Sequence, residues 1–226
     1  MQQLHFGALQ AYWSALPGAV WTTVSLSALA VLLGLPIGFG GAIARRYGAG
    51  GVRWACAAYV EFMRNTPLIV LLFLVYFGLP QSGLRLGGYS SALIALTLNC
   101  SAYMIEVFRG GLEAIPRGQH EAATALGLTG LQRFRLVIFP QLLRVTYPSL
   151  GNIFIQVLLG SSLASVVAVS EIADWMQSAG SQTFRFFETF AVAGGVYILL
   201  CQAINILRSI VGKYLFKPSA SLAATR

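Results

Sequence analysis

The sequence predicts an all-α, polytopic membrane protein of about five transmembrane helices, and three observations predict it. Charged residues make up only 10% of 226 positions while 57% are hydrophobic, against about a quarter charged in a soluble domain. Such a chain has too little polar surface to cover a water-facing core, so its solvent is lipid. Five apolar stretches each supply the roughly 20 residues that cross a hydrocarbon layer of about 30 Å. Lys and Arg, finally, fall almost entirely on one side of those stretches.

The first span covers residues 19–44 and carries no charge. The second, residues 54–79, is interrupted by Glu61 and Arg64, whose i, i+3 spacing predicts a structural ion pair, with a gating role as the alternative. Thr66-Pro67 follows and marks a bend, since the residue before a proline is driven out of helical geometry. Residues 89–108, 145–169 and 186–211 complete the set. Pro36 and Pro148 lie inside spans and are expected to kink them. No linker or repeat divides the chain, which reads as one domain, residues 1–226.

Orientation follows from the basic residues. With the N-terminus outside and the C-terminus inside, thirteen Lys and Arg lie on the cytosolic side, Lys217 and Arg226 among them. Only Arg85 and Arg185 lie outside, where Glu171, Asp174 and Glu188 also fall. The formal charge of +8 is thereby explained without nucleic acid. No Lys or Arg precedes residue 45, which argues against a cleaved signal peptide, so the first helix is expected to stay. Cys56, Cys100 and Cys201 are too far apart for metal-ligand spacing and read as packing residues. His5 and His120 lie outside every span and receive no chemistry.

The cytosolic connection between the third and fourth spans has its own helical grammar, centred on residues 112–140. Pro116 and Gly118 break the chain, and residues 119–126 read as a short Ala-rich helix. Gly127 is placed as its left-handed cap. Thr129 and Gln132 have the spacing of a capping box opening a second helix, which Pro140 ends or kinks. The prediction is a helix–Gly–helix elbow at the cytosolic face. Glu121 lies near a helix N-terminus, where the helix dipole favours its charge.

Glu121-Ala122-Ala123, then Gly127 after three residues, then Val137-Ile138-Phe139-Pro140 after nine more, resembles the EAA motif of permease subunits of ATP-binding-cassette importers. That motif usually ends I-x-L-P, so Val137 and Phe139 are conservative departures. Arg64-Asn65-Thr66-Pro67-Leu68, Tyr76-Phe77-Gly78-Leu79-Pro80 and the run from Ala102-Tyr103 through Glu106 to Gly110-Gly111 are similar to the polar amino-acid branch of that family. Leu71 stands where similar permeases often carry Gln. Leu159-Gly160-Ser161-Ser162-Leu163 replaces a more polar run.

The resemblance implies a multi-pass permease of a bacterial cytoplasmic (inner) membrane, working by alternating access. It implies that the elbow is a coupling helix, with Glu121, Ala122, Ala123, Gly127 and Pro140 engaging a cytosolic ATPase dimer. It further implies a second permease chain, either a copy or a relative, an extracytoplasmic binding protein, and a polar amino acid as substrate. ATP and magnesium would belong to the ATPase, with no cofactor, metal or catalytic residue on this chain. The sequence agrees on one point, since it contains no G-x-x-x-x-G-K-[ST] phosphate loop.

Polar groups inside spans usually face the protein interior or a water-filled path. Asn99, Tyr103 and Glu106 fall on one face of the third span, where Glu106 is a counter-charge for a substrate ammonium or an i, i+3 partner of Arg109. Gln156, Ser162 and Ser165 are their counterparts on the fourth. The alternative for Asn99 and the serines is helix–helix adhesion. Three other readings compete with import, and the elbow argues against the first, a purely structural membrane subunit. An intramembrane serine hydrolase would use Gly160-Ser161-Ser162 but needs a base, and no span contains histidine. A stand-alone secondary transporter would leave the elbow without a use.

Overall fold

The computed structural model describes residues 4–216, so Lys217 and Arg226 of the predicted inner side lie outside the described residues. Among the described residues nine α-helices follow in order: α1 (Leu16–Tyr47), α2 (Gly50–Asn65), α3 (Leu68–Phe73), α4 (Gly88–Glu113), α5 (Arg117–Ala125), α6 (Gly130–Arg133), α7 (Phe139–Gly160), α8 (Ile172–Thr183) and α9 (Phe186–Leu215). A π-helical turn, Phe134–Ile138, joins α6 to α7, and a 3-10 segment, Ser161–Val167, extends α7. Gly130–Val167 is therefore one continuous rod of 38 residues.

The rods α1, α4, Gly130–Val167 and α9 are each long and apolar enough to span a membrane. The fifth candidate span bends where Thr66-Pro67 predicts a bend, and does so sharply: Gly50–Asn65 and Leu68–Ser82 meet at 107°. Thr66, held extended (φ −98°, ψ 127°) by the proline after it, makes that corner. Pro36 and Pro148, by contrast, end neither helix; α1 and α7 run through them. Membrane helices tolerate proline where neighbouring groups take up the freed carbonyl.

The core is the α1–α4 pair, the most extensive helix contact among the described residues. Thr23, Ser27, Ala30, Gly34 and Gly38 form a buried stripe of small residues along α1. A Cβ at Gly34 would stand 2.6 Å from Cys100 Sγ, and one at Gly38 would collide with Met104. In lipid no hydrophobic drive separates helix from solvent, so close backbone approach supplies the packing energy. α9 lies at the other extreme. It packs on α7 and α8 but leaves Ile198, Leu199, Ile206 and Leu207 exposed.

Candidate functional site

At the end of α4 the chain turns through Ile115-Pro116 into α5. Gly127 caps α5 with φ +72°, a conformation that penalises a side chain. Its N–H bonds the Thr124 carbonyl (2.9 Å), and the Leu128 N–H reaches back to Ala123 (3.1 Å), a Schellman closure. The next helix opens at once. Thr129 Oγ1 accepts from the Gln132 N–H (3.4 Å) and Gln132 Oε1 from the Thr129 N–H (2.9 Å). Two side-chain bonds then tie the limbs together: Arg133 donates to Thr124 Oγ1 at 2.9 Å, and Gln141 to Gln119 Oε1 at 3.1 Å.

Of the five elbow residues singled out in the sequence, Ala123 is buried beneath the turn, while Glu121, Ala122, Gly127 and Pro140 are exposed. Of the two outcomes expected at Pro140, an end or a kink, the end does not occur. The π turn Phe134–Ile138 precedes this proline and lets the rod continue into α7, because widening the ladder by one residue accommodates the missing N–H. The tip also presents Leu126 (79% exposed) and Leu131 (77% exposed). Both leucines flank the turn capped by Gly127.

Inside the bundle, a cavity of about 390 Å³ opens where the α2–α3 corner meets α4 and α7. The corner contributes Arg64, Asn65, Thr66 and Pro67; α4 contributes Asn99 and Tyr103; α7 contributes Gln156 and Gly160. Of the six pathway candidates, three line this space. Glu106 does not: Arg45 holds one carboxylate oxygen, and Arg109 holds the other at 2.8 Å while also binding Glu113. Ser162 and Ser165 also lie off the cavity and donate to backbone carbonyls one turn back, Leu159 and Ser162.

The predicted Glu61–Arg64 ion pair is absent among the described residues. Glu61 Oε1 instead accepts from Asn65 Nδ2 at 2.7 Å. The Arg64 guanidinium lies 5.3 Å from the centre of the Tyr103 ring, a cation–π contact that reaches toward the cavity. Arg64, expected in a structural ion pair, and Thr66, at the predicted bend, thus both line the cavity. The Thr66-Pro67 break was the available signal, because a broken helix inside a membrane exposes polar backbone only where it lines a cavity.

A second polar cluster lies at the opposite end of the bundle from the elbow. Glu171 is fully buried and caps α8 by accepting from the Asp174 N–H at 2.9 Å. Its other oxygen accepts from Tyr197 Oη of α9 at 2.7 Å and faces Thr23 Oγ1 of α1 at 3.4 Å. The sequence placed this acid in an outer loop; the fold makes it the knot of three helices.

The family model described as "Binding-protein-dependent transport system inner membrane component" matches residues 30–217. The chain is 31% identical over 191 residues to a probable amino-acid ABC transporter permease protein, YckA of Bacillus subtilis, covering 84% of each chain. It is likewise 31% identical over 207 residues to the L-cystine transport system permease protein TcyB of the same organism, covering 91% of this chain and 88% of that one. Among solved structures, an amino acid ABC transporter with histidines superposes with a TM-score of 0.87 at 30% identity, over 94% of this chain and all of that one. A subunit of this kind does the transporting, while ATP hydrolysis and capture of the solute belong to an ATPase and a binding protein on other chains. By its match, its fold and its relatives, the chain belongs to the binding-protein-dependent inner membrane components, the multi-pass permease subunits of ABC importers.

Proposed function

We propose that this permease passes a polar amino acid through the bacterial cytoplasmic membrane by alternating access, paired with a second permease chain across a central path. The observation that carries the reading is mechanical. The capped elbow and the cavity wall belong to the same rod, because Gly130–Val167 runs unbroken from the Thr129 cap past Gln156 and Gly160. Movement at the elbow is therefore delivered to the cavity without a flexible joint. Relatives named for L-cystine and, in a probable assignment, for glutamine support an amino acid as the cargo.

In this reading the elbow seats on a dimeric cytosolic ATPase through Leu126 and Leu131, with Glu121 available to a basic group there. Ala122, Ala123, Gly127 and Pro140 shape the turn. ATP and magnesium are held by the ATPase chains and supply the closing stroke. This chain transmits the stroke, exposes the cavity to a binding protein outside, and then returns.

The test is hydrolysis by the reconstituted complex with its ATPase and binding protein. Gly127→Pro cannot adopt φ +72° and loses the bond to Thr124. Stimulation by the binding protein should vanish in this variant while the assembled complex persists. Unchanged stimulation would reject the coupling role.

A further inference from the structure

Charge in and around the cavity is one-sided. Arg64 is the only ionisable group at physiological pH among the lining residues, and no carboxylate contacts it among the described residues. The acids nearby are engaged elsewhere. Glu106, on the same face of α4 as Asn99 and Tyr103, is claimed from both sides by Arg45 and Arg109. Glu61 stands one turn behind Asn65, accepts from its amide, and does not line the cavity. Around the inner end of α4, Arg45 and Arg109 pair with Glu106 and Glu113, while Arg64 lies over the Tyr103 ring. A second cation in this space would meet the charge of Arg64 with no lining carboxylate to offset it.

From this we infer that the cavity takes its amino acid carboxylate-first onto Arg64 and admits only amino acids of zero or negative net charge, excluding those with cationic side chains. The inference rests on the transport reading above and sharpens it. Chemistry and shape agree. A guanidinium stacked on an aromatic ring keeps its N–H fork free for a bidentate carboxylate. Asn65, Thr66 and Gln156 offer neutral donors and acceptors for an amide or acid side chain. Glu106 would have been the natural partner of a cationic side chain, and its two arginines remove it from that role.

The experiment measures direct binding of radiolabelled L-glutamine, L-glutamate, L-arginine and L-lysine to the purified permease–ATPase complex without binding protein, so that selection upstream plays no part. Glutamine or glutamate should bind at least tenfold tighter than arginine and lysine. Arg64→Gln should lower that affinity at least tenfold, with Arg64→Lys in between. Should Arg64→Gln fail to assemble, the Arg64→Lys loss and the wild-type preference still decide. Gly160→Phe, which fills the cavity beside Leu68, separates the two levels of the argument. If Gly160→Phe abolishes binding but arginine or lysine binds as tightly as glutamine and glutamate, the charge rule is overturned and the site stands. If Gly160→Phe leaves binding unchanged, or no amino acid binds at millimolar concentration, the cavity itself is not the site and the rule falls with it.

Discussion

Asn99 of α4 donates its side-chain amide to the Met63 carbonyl of α2 at 3.0 Å. In an uninterrupted helix that carbonyl would receive the N–H of residue 67, and residue 67 is proline. One side chain from a neighbouring helix thus completes the hydrogen bonding that the corner breaks, and in doing so fixes the α2–α3 corner against the cavity wall.

This relationship predicts a non-additive pair. Asn99→Leu should destabilise the folded protein in micelles by about 1 kcal/mol, since it leaves a carbonyl unpaired in an apolar setting. In a Pro67→Ala background, where an N–H is restored, the same change should cost much less. Chemical unfolding of the four proteins in a double-mutant cycle measures the difference. Equal costs in both backgrounds would mean that the bond does not repair the break.

Gly38 and Gly40 lie two residues apart on α1 and should behave oppositely. A Cβ at Gly38 collides with Met104, whereas one at Gly40 meets nothing within 4 Å. Gly38→Ala is expected to cost about 1–3 kcal/mol through separation of α1 from α4. Gly40→Ala should be neutral or slightly stabilising, because alanine favours the helix. Thermal unfolding of the two variants checks the contrast.

The exposed leucines of the elbow should matter to assembly and hardly at all to folding. Leu126→Asp with Leu131→Asp places charge on side chains already 79% and 77% exposed, so stability should shift by no more than about 0.5 kcal/mol per site. Co-purification of the ATPase should nevertheless be lost. An intact complex carrying both aspartates would move the contact elsewhere on this face.

Glu171 makes a fourth test. Tyr197→Phe removes one hydrogen bond to a buried carboxylate and should cost about 1.5–3 kcal/mol. Glu171→Ala removes the α8 cap as well and should cost more. Hydrogen exchange across Ile172–Thr183 should accelerate in both, with the larger effect in Glu171→Ala. Exchange confined to its wild-type rate would show that α8 is held by apolar packing alone.

What could be read from the chain and what could not divide along one physical line, the sequence distance between interacting groups. The preference for lipid, the apolar stretches and the two caps of the elbow are local: Gly127 needs only its own φ, and Thr129 needs only Gln132 three residues on. Such features are determined by composition, period and spacing, and the sequence alone specified them. Partner choice is different. Arg64 and Glu61 have ion-pair spacing, yet Arg64 reaches Tyr103 of another helix while Asn65 occupies Glu61. Glu106 is neutralised partly by Arg45, 61 residues away, and Glu171 is buried by Thr23 and Tyr197 from two other helices. A buried or half-buried charge takes whichever compensating group the packed helices bring within reach, so only the tertiary structure decided which residues line the cavity and which sign of charge it presents.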